Sequence, residues 1–354
     1  MMKIINNSWK PRWFAVLVST LSLFLSGCSQ PPEIQRVSGY AQGTTYHISW
    51  WSEKPVATET ISGQFDQMLA VIDKELSTYR PDSFISLWNK NPSTDWQPAS
   101  ADFIHLLSVA KTIHHQTQGC YDPTIGPLFA LWGFKKDVLQ VPDPQKIAAV
   151  QAEIGIDKIE VSTDGLRIRK TLPGLQLDFS SMGEGYTISK LSQILETNGI
   201  TNYLVEFGGD MKIRGHKPEG QKWRIAIERP VPSKDKRIPY QIVVIEDENG
   251  VTLDTSGTYH HSFDADGKAY SHILDPRTGS PVMHDLVSAS VFGQDSVVSD
   301  AWATAMLCLG PKAGQEIADA EHLPVFFIQS RQEKLIASQS QALKTSKQVK
   351  LVQQ

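Results

Sequence analysis

The sequence predicts an α+β fold of mixed, mostly antiparallel strands with segregated helices. Two observations carry this reading. Apolar residues recur at helical spacing mainly before residue 157, and short alternating runs of the kind that form half-buried strands dominate after it. No internal repeat at a fixed period organises the chain, which leaves one α+β body as the expectation.

Composition sets the outer limits. The 354 residues are 40% hydrophobic and 20% charged with a formal net charge of −4, so the chain can bury a real core. No Pro/Gly/Ser linker after residue 60 divides it into independent halves. Lys and Arg are scattered and form no basic stripe, which argues against nucleic acid as a partner.

The elements follow in order. Lys3, Lys10 and Arg12 precede an apolar run over residues 13–25 and then Leu25-Ser26-Gly27-Cys28, a lipobox. The run is short for a membrane span, so residues 1–27 are expected to be a lipoprotein signal peptide, cleaved to leave Cys28 lipidated. Residues 28–36 read as a tether, 37–340 as the folded body and 341–354 as a polar C-terminal tail. Such a protein is expected on the periplasmic side of a membrane, assigned here to the inner membrane. Only Cys120 and Cys308 remain, too few for a disulfide framework, and Cys308 within an apolar run reads as packing.

Residues 37–51 look extended, with a break at 42–45. Residues 60–76 place Ile61, Phe65, Leu69 and Ile72 on one helical face, and residues 100–118 repeat the pattern with Ser100 as N-cap and Gly119 as stop. A short helix follows over 144–153. Strands are predicted at 158–161, 166–169 and 175–179, with Thr163-Asp164-Gly165 as a turn. A helix over 183–197 ends at Asn198-Gly199. Strands resume at 203–207, 223–227, 242–245 and 286–292. Two helices, 300–309 and 314–320, precede a closing hairpin of 325–328 and 334–337.

Four polar, glycine-punctuated islands interrupt these elements, where backbone can approach a ligand. Residues 119–128 form a structured turn after a helix. Residues 178–186 end one element and open a helix, aiming free N–H groups and the positive end of a helix dipole at one point, which suits a phosphate. Residues 271–279 bring His272, Asp275 and Arg277 close together, making His272 and Asp275 candidates for proton transfer; Asp254-Thr255-Ser256-Gly257 is a further small polar loop upstream. Asp300 and Thr304, one helical turn apart, project hard oxygens that suit Mg²⁺ held partly by phosphate.

In this order, and with Ser77-Thr78-Tyr79-Arg80-Pro81-Asp82-Ser83, the islands resemble the ApbE family of FAD:protein FMN transferases over nearly all of residues 37–340. The resemblance implies a body related to the T-fold, with FAD in a cleft between lobes and Mg²⁺ at its pyrophosphate. Tyr79 matches a tyrosine that contacts the isoalloxazine. Cys120, Tyr121 and Asp122 match the turn that holds the flavin nucleotide, Asp178 and Glu184 match FAD contacts, and Ile273 matches a backbone contact. Ser181, Asp300 and Thr304 match metal ligands, the first often through its main-chain oxygen. Gln42 stands where many members have Met, and Glu184 where many have Lys. The implied reaction is attack by a Thr or Ser hydroxyl of an acceptor flavoprotein on the FMN phosphorus of FAD, with AMP leaving. The acceptor expected is a subunit of a membrane redox complex bearing a segment like Asp-x-x-Ser/Thr-Gly-Ala-Thr. FAD hydrolysis is the alternative enzyme activity, which in the family goes with Asn where this chain has Tyr79. A non-catalytic FAD-binding lipoprotein is the alternative outside enzymes.

The lipobox carries a test of its own. Cys28→Ala is expected to leave the precursor uncleaved and unacylated, since the thiol is the acylation point. Intact-mass measurement reads this directly, and a normally processed, lipid-bearing variant would overturn it.

Overall fold

Alternation along Thr44–Trp51 decides which face of the main sheet is dry. In the computed structural model, which describes residues 32–352 apart from 55, 136–137, 231–237, 259–261, 266–267 and 333, Tyr46, Ile48 and Trp50 all point into the core. Their cross-strand partners are Phe207, Val205 and Tyr203, equally buried, so register and burial agree. The signal segment and Cys28 lie outside the described residues.

The sheet has eight strands in the spatial order Gln35–Ala41, Thr44–Trp51, Asn202–Phe207, Asp210–Arg214, Val251–Gly257, Leu286–Gly293, Val325–Arg331 and Lys334–Gln339. Every neighbouring pair is antiparallel. The helices are α1 (Thr58–Leu76), α2 (Phe84–Lys90), α3 (Ala101–Gln116), α4 (Gly126–Leu131), α5 (Pro144–Glu153), α6 (Ser180–Thr197), α7 (Ser296–Ala320) and α8 (Gln341–Lys344). Ile61, Phe65 and Leu69 of α1 and Ile188, Leu191 and Leu195 of α6 cover the strands around Ile48 and Val205. A second core joins Phe103, Leu106 and Ile113 of α3 to Trp302 and Met306 of α7. Burial on this scale, roughly 1.5–3 kcal/mol for each large apolar side chain, is what holds helices to sheet. A three-stranded sheet, Arg224–Glu228, Pro239–Ile245 and Val349–Val352, packs Ile225, Val243 and Val349 against Leu253, Phe292 and Phe326. The α+β expectation is met.

Five local expectations are corrected. Residues 175–179 are extended but pair with no strand, because the Asn89 side chain takes the partner's place: its Nδ2 donates to the Leu177 carbonyl at 2.8 Å and its Oδ1 accepts from the Leu177 N–H at 2.7 Å. Residues 254–257 are no loop but the end of a strand in the main sheet, where Thr255 and Ser290 share a hydroxyl hydrogen bond of 2.8 Å. The helix expected to begin at residue 300 begins at Ser296, capped by Asp295, whereas the expected break between two helices is present: α7 kinks at Gly310, where φ is 76° and ψ −178°, just before Pro311. Residues 341–354 are not simply a tail, since α8 buries Leu343 and Val349–Val352 pairs with Pro239–Ile245.

The fifth correction concerns the cysteines. Cys120 and Cys308 form a disulfide across a sequence separation of 188, joining the turn after α3 to α7. Cys308 is therefore a covalent fastener as well as packing. A cross-link closing so long a loop restricts the unfolded chain strongly, so Cys308→Ser is expected to cost about 2–5 kcal/mol. Denaturant midpoints with and without reductant check this: reductant should lower the wild type to the level of the variant and leave the variant unmoved.

Candidate active site

The site is assembled where α6 begins. Asp178 holds the approach, its backbone N–H donating to the Pro123 carbonyl at 2.8 Å and its Oδ1 accepting from the Ser180 N–H at 3.0 Å. The helix starts three residues before its expected first position, so Ser181, Gly183 and Glu184 all lie in its first turns. Ser181 Oγ shares a 2.9 Å hydrogen bond with the hydroxyl of the buried Tyr121, which ties the α3–α4 turn to the helix start. Burial, foremost, raises the Tyr121 phenol well above its ordinary range and keeps it neutral.

Helix α7 crosses this point closely. A Cβ on Gly185 would lie 2.1 Å from the Ser296 carbonyl oxygen, so only glycine lets the two helices meet. The Gly185 N–H donates to Asp300 Oδ2 at 2.9 Å. Burial pushes the Asp300 carboxyl up to about 7, against the pull of the Gly185 and Glu184 backbone donors. One turn on, Thr304 Oγ1 lies 3.1 Å from Ser256 Oγ. Sequence reading placed Ser181, Asp300 and Thr304 in one group, and the structure brings α6 and α7 together at those positions. It adds Ser256, which a polar tetrapeptide hinted at without naming a partner.

A field of carboxyls surrounds Asp300. Glu184 is pushed up to about 8, by burial first and then by the charges of Asp300 and Glu206. Its carboxylate sits against Gly208, where a Cβ would lie 2.2 Å from Oε1. Asp210 and Asp254 are raised well above the usual carboxylate range, by burial and then by Asp300. Thr252, beside Asp254, gives its hydroxyl hydrogen to Ser299 Oγ at 2.9 Å, leaving both Asp254 oxygens without a hydrogen-bond partner among the described residues. Glu206 accepts from His47 Nδ1 at 2.6 Å through one oxygen, and its other oxygen is likewise unpartnered. Hard oxygen donors in so negative a setting suit a divalent cation of the Mg²⁺ kind. Asp210 and Glu206 escaped sequence reading because only the fold collects them, while Asp254 stood out only as part of a polar tetrapeptide.

The remaining candidates divide. Gln42, in a turn with φ 52°, accepts from Thr187 Oγ1 of α6 at 3.1 Å and so lies against that helix. Asp122 spends its carboxylate internally, Oδ1 on the Thr124 N–H and hydroxyl at 2.8 and 2.6 Å and Oδ2 on the Ile156 N–H at 3.2 Å. Cys120 is in the disulfide. Their side chains shape the turn and leave its main chain to meet a ligand. Ile273 is buried and its carbonyl accepts from the Val282 N–H at 2.9 Å. Asp275 forms a two-pronged ion pair with Arg277, at 2.9 Å to Nε and 2.8 Å to Nη2, and its carboxylate lies within 4.8 Å of both disulfide sulfurs. His272 is half-buried, three residues before Asp275. Tyr79 is 97% exposed, next to Thr78, which with Asn89, Gly126, Lys135 and Asp178 lines a cavity of about 300 Å³.

Fold and candidate site together fit an α+β enzyme, with a helix N-terminus meeting a buried carboxylate at the candidate centre. The model of the ApbE family matches residues 42–327, and the chain belongs to that family. A curated relative from Vibrio cholerae, named FAD:protein FMN transferase, is 34% identical and covers 89% of this chain and 93% of its own. One of the same name from Escherichia coli K12 is 34% identical, covering 88% and 91%. Among solved structures, the flavin transferase ApbE from Vibrio cholerae superposes with a TM-score of 0.78 at 31% identity, covering 89% of this chain and 99% of that one. The apo flavinyl transferase ApbE of Pseudomonas stutzeri gives 0.80 at 30%, covering 89% and 97%.

Glu184 makes the electrostatics testable. Its folded pKa of about 8 lies above the ordinary 4.5, so the folded state binds the extra proton between those values and stability falls as pH rises through that window. In metal-free protein, Glu184→Gln should therefore raise the denaturation midpoint at pH 8, by about 1–3 kcal/mol, and leave it unchanged at pH 5. Equal stabilisation at both pH values would remove the ionised carboxylate as the cause.

Proposed function

We propose that this chain transfers FMN from FAD to a Thr or Ser hydroxyl of an acceptor flavoprotein, forming a phosphoester and releasing AMP, with Mg²⁺ at the pyrophosphate. The observation that carries the proposal is the junction of α6 and α7, where the buried Asp300 carboxylate accepts from the Gly185 N–H, with Ser181 in the first turn of α6 and Thr304 one turn beyond Asp300 on α7. A helix N-terminus favours the pyrophosphate, and three oxygen donors around a buried carboxylate fit a metal shared with phosphate oxygens. Ser181, Asp300 and Thr304 would hold Mg²⁺, which when bound offsets charge on the reacting phosphate. The acceptor oxygen forms the new bond to the FMN phosphorus as the bond to the AMP oxygen breaks.

The chain's own groups then divide the work. His272 and Asp275, the latter held in a two-pronged ion pair with Arg277, are the candidates for taking the acceptor's hydroxyl proton. Main-chain groups of Cys120 to Asp122 and of Ile273, with Gln42, Asp178 and Glu184, orient the nucleotide. The exposed Tyr79 ring beside the cavity is available to stack on the isoalloxazine and shield it from water. We place the enzyme on the periplasmic side of the inner membrane, anchored through Cys28, and the Cys120–Cys308 disulfide supports an oxidising compartment.

The test is incubation of the protein with FAD, Mg²⁺ and an acceptor domain bearing Asp-x-x-Ser/Thr-Gly-Ala-Thr, read by in-gel flavin fluorescence and acceptor mass. Covalent FMN on the acceptor is expected. Release of FMN and AMP with the acceptor unmodified would mark hydrolysis instead. Asp300→Ala should lower transfer by about 100-fold or more while the protein stays folded. Unchanged turnover at limiting Mg²⁺ would show that α7 does not hold the metal.

A further inference from the structure

The C-terminal end of α3 gathers a second set of ligand-type side chains beside the Cys120–Asp122 turn. His114 and His115 lie at the helix end and Asp157 on the one-turn helix Ile156–Lys158 that packs beside it. One ligand atom from each falls within 4.8 Å of the other two. His115 Nε2 is 3.2 Å from Asp157 Oδ1, and His114 Nε2 is 4.0 Å from Asp157 Oδ2.

Hydrogen bonding fixes which His114 nitrogen is free. Its Nδ1 lies 2.9 Å from the Tyr121 carbonyl oxygen, which can only accept, so Nδ1 carries the hydrogen and donates it. In the neutral ring Nε2 then presents a lone pair toward the Asp157 carboxylate. Two acceptors facing each other repel unless a proton or a metal ion sits between them. The separations, 3.2 Å to Asp157 Oδ1 and 4.0 Å to Oδ2, lie near the roughly 3.3–3.5 Å that two ligands keep across a tetrahedral ion with bonds of about 2.0–2.1 Å. The neighbouring Lys158 is engaged elsewhere, its Nζ donating to the carbonyls of Ala152 and Ile154 at 2.6 Å each. A histidine whose second nitrogen is held by a backbone carbonyl is the usual support of a metal ligand.

We propose that His114, His115 and Asp157 form a binding site for a zinc-class divalent ion, separate from the Mg²⁺-type site at Asp300. Two imidazole nitrogens and one carboxylate select zinc, cobalt, nickel or copper over magnesium or calcium. Three protein ligands leave one position to water, and the partial exposure of all three gives the ion a way in. The bound ion pins the end of α3 to the one-turn helix. Through His114 Nδ1, which also lies 3.5 Å from Asp122 Oδ2, it stiffens the turn between them.

The experiment is calorimetric titration of zinc into the full-length protein in detergent, stripped of metal and then saturated with Mg²⁺ to occupy the other site. One zinc per chain at micromolar affinity is expected, with a raised thermal midpoint. His115→Ala and Asp157→Asn should each weaken binding at least 10-fold, without changing the midpoint measured in chelator. Cobalt in place of zinc should give visible d–d absorption that the double variant lacks. No zinc uptake at micromolar concentration, or equal uptake by the His115→Ala/Asp157→Asn double variant, would overturn the proposal.

Discussion

Helices α6 and α7 touch at Gly185, and the site depends on that contact. Any side chain there would drive into the Ser296 carbonyl and the Asp300 Cβ, prising the helices apart. With glycine in place, the Asp300 carboxylate reaches the first turn of α6 and accepts from the Gly185 N–H. The bond satisfies a donor that a helix start otherwise leaves open, and it sets a carboxylate where the helix dipole is positive. Local geometry, helix packing and the electrostatics of the centre thus follow from one missing methyl group.

Helix α7 carries that contact outward. Its Thr304 meets Ser256 and its Ser299 meets Thr252, both on the strand Val251–Gly257, so two polar pairs register helix against sheet. Its Cys308 reaches the turn after α3, whose Tyr121 in turn bonds to Ser181 on α6. The result is a closed circuit of α6, α7 and the turn, fastened by a carboxylate, a disulfide and a hydroxyl pair. A shift in any one member is resisted by the other two, which is the rigidity that positioning of reacting groups requires.

Much of this was legible in sequence wherever the signal is local. The helical stripes of α1 and α3, the Ser100 cap and the closing hairpin are written in residues a few positions apart, and Ser100 does accept from the Phe103 N–H at 3.0 Å. What escaped depends on partners far along the chain. Cys120 and Cys308 gave no sign of pairing, because 188 residues separate them and a polar turn around one and an apolar run around the other do not point to each other. Residues 254–257 hid a strand because their side chains face carboxyls and hydroxyls rather than a dry core, which erases the alternation that marks strands. The site divided in the same way. The polar islands and the family resemblance pointed to Ser181, Glu184, Asp300 and Thr304, and a polar tetrapeptide to Asp254, whereas Asp210 and Glu206 sit on strands that look ordinary until the sheet is folded.

Those three acids bear on why the centre is built as it is. A fold selected for stability alone would place apolar or amide side chains at Asp210 and Asp254, since burying carboxyls near one another costs free energy that hydrogen bonds here do not return. Asp254 has no hydrogen-bond partner among the described residues for either oxygen. Such groups persist where a charge of the opposite sign completes the arrangement, and the local rules of folding are broken mainly at functional sites. The carboxyls do not all need to touch a cation to favour one. Charge on them would act through a low-dielectric interior, so Asp210, Asp254 and Glu206, once ionised, would strengthen the attraction of the cation we propose at Asp300. Glu184 and Asp300, pushed up to about 8 and about 7, are left near the pH at which a proton and that metal would compete for the same oxygens. The energetic penalty of the buried acids would then be the source of the proposed site's affinity for positive charge, and the tight junction of α6 and α7 is what holds that penalty in place.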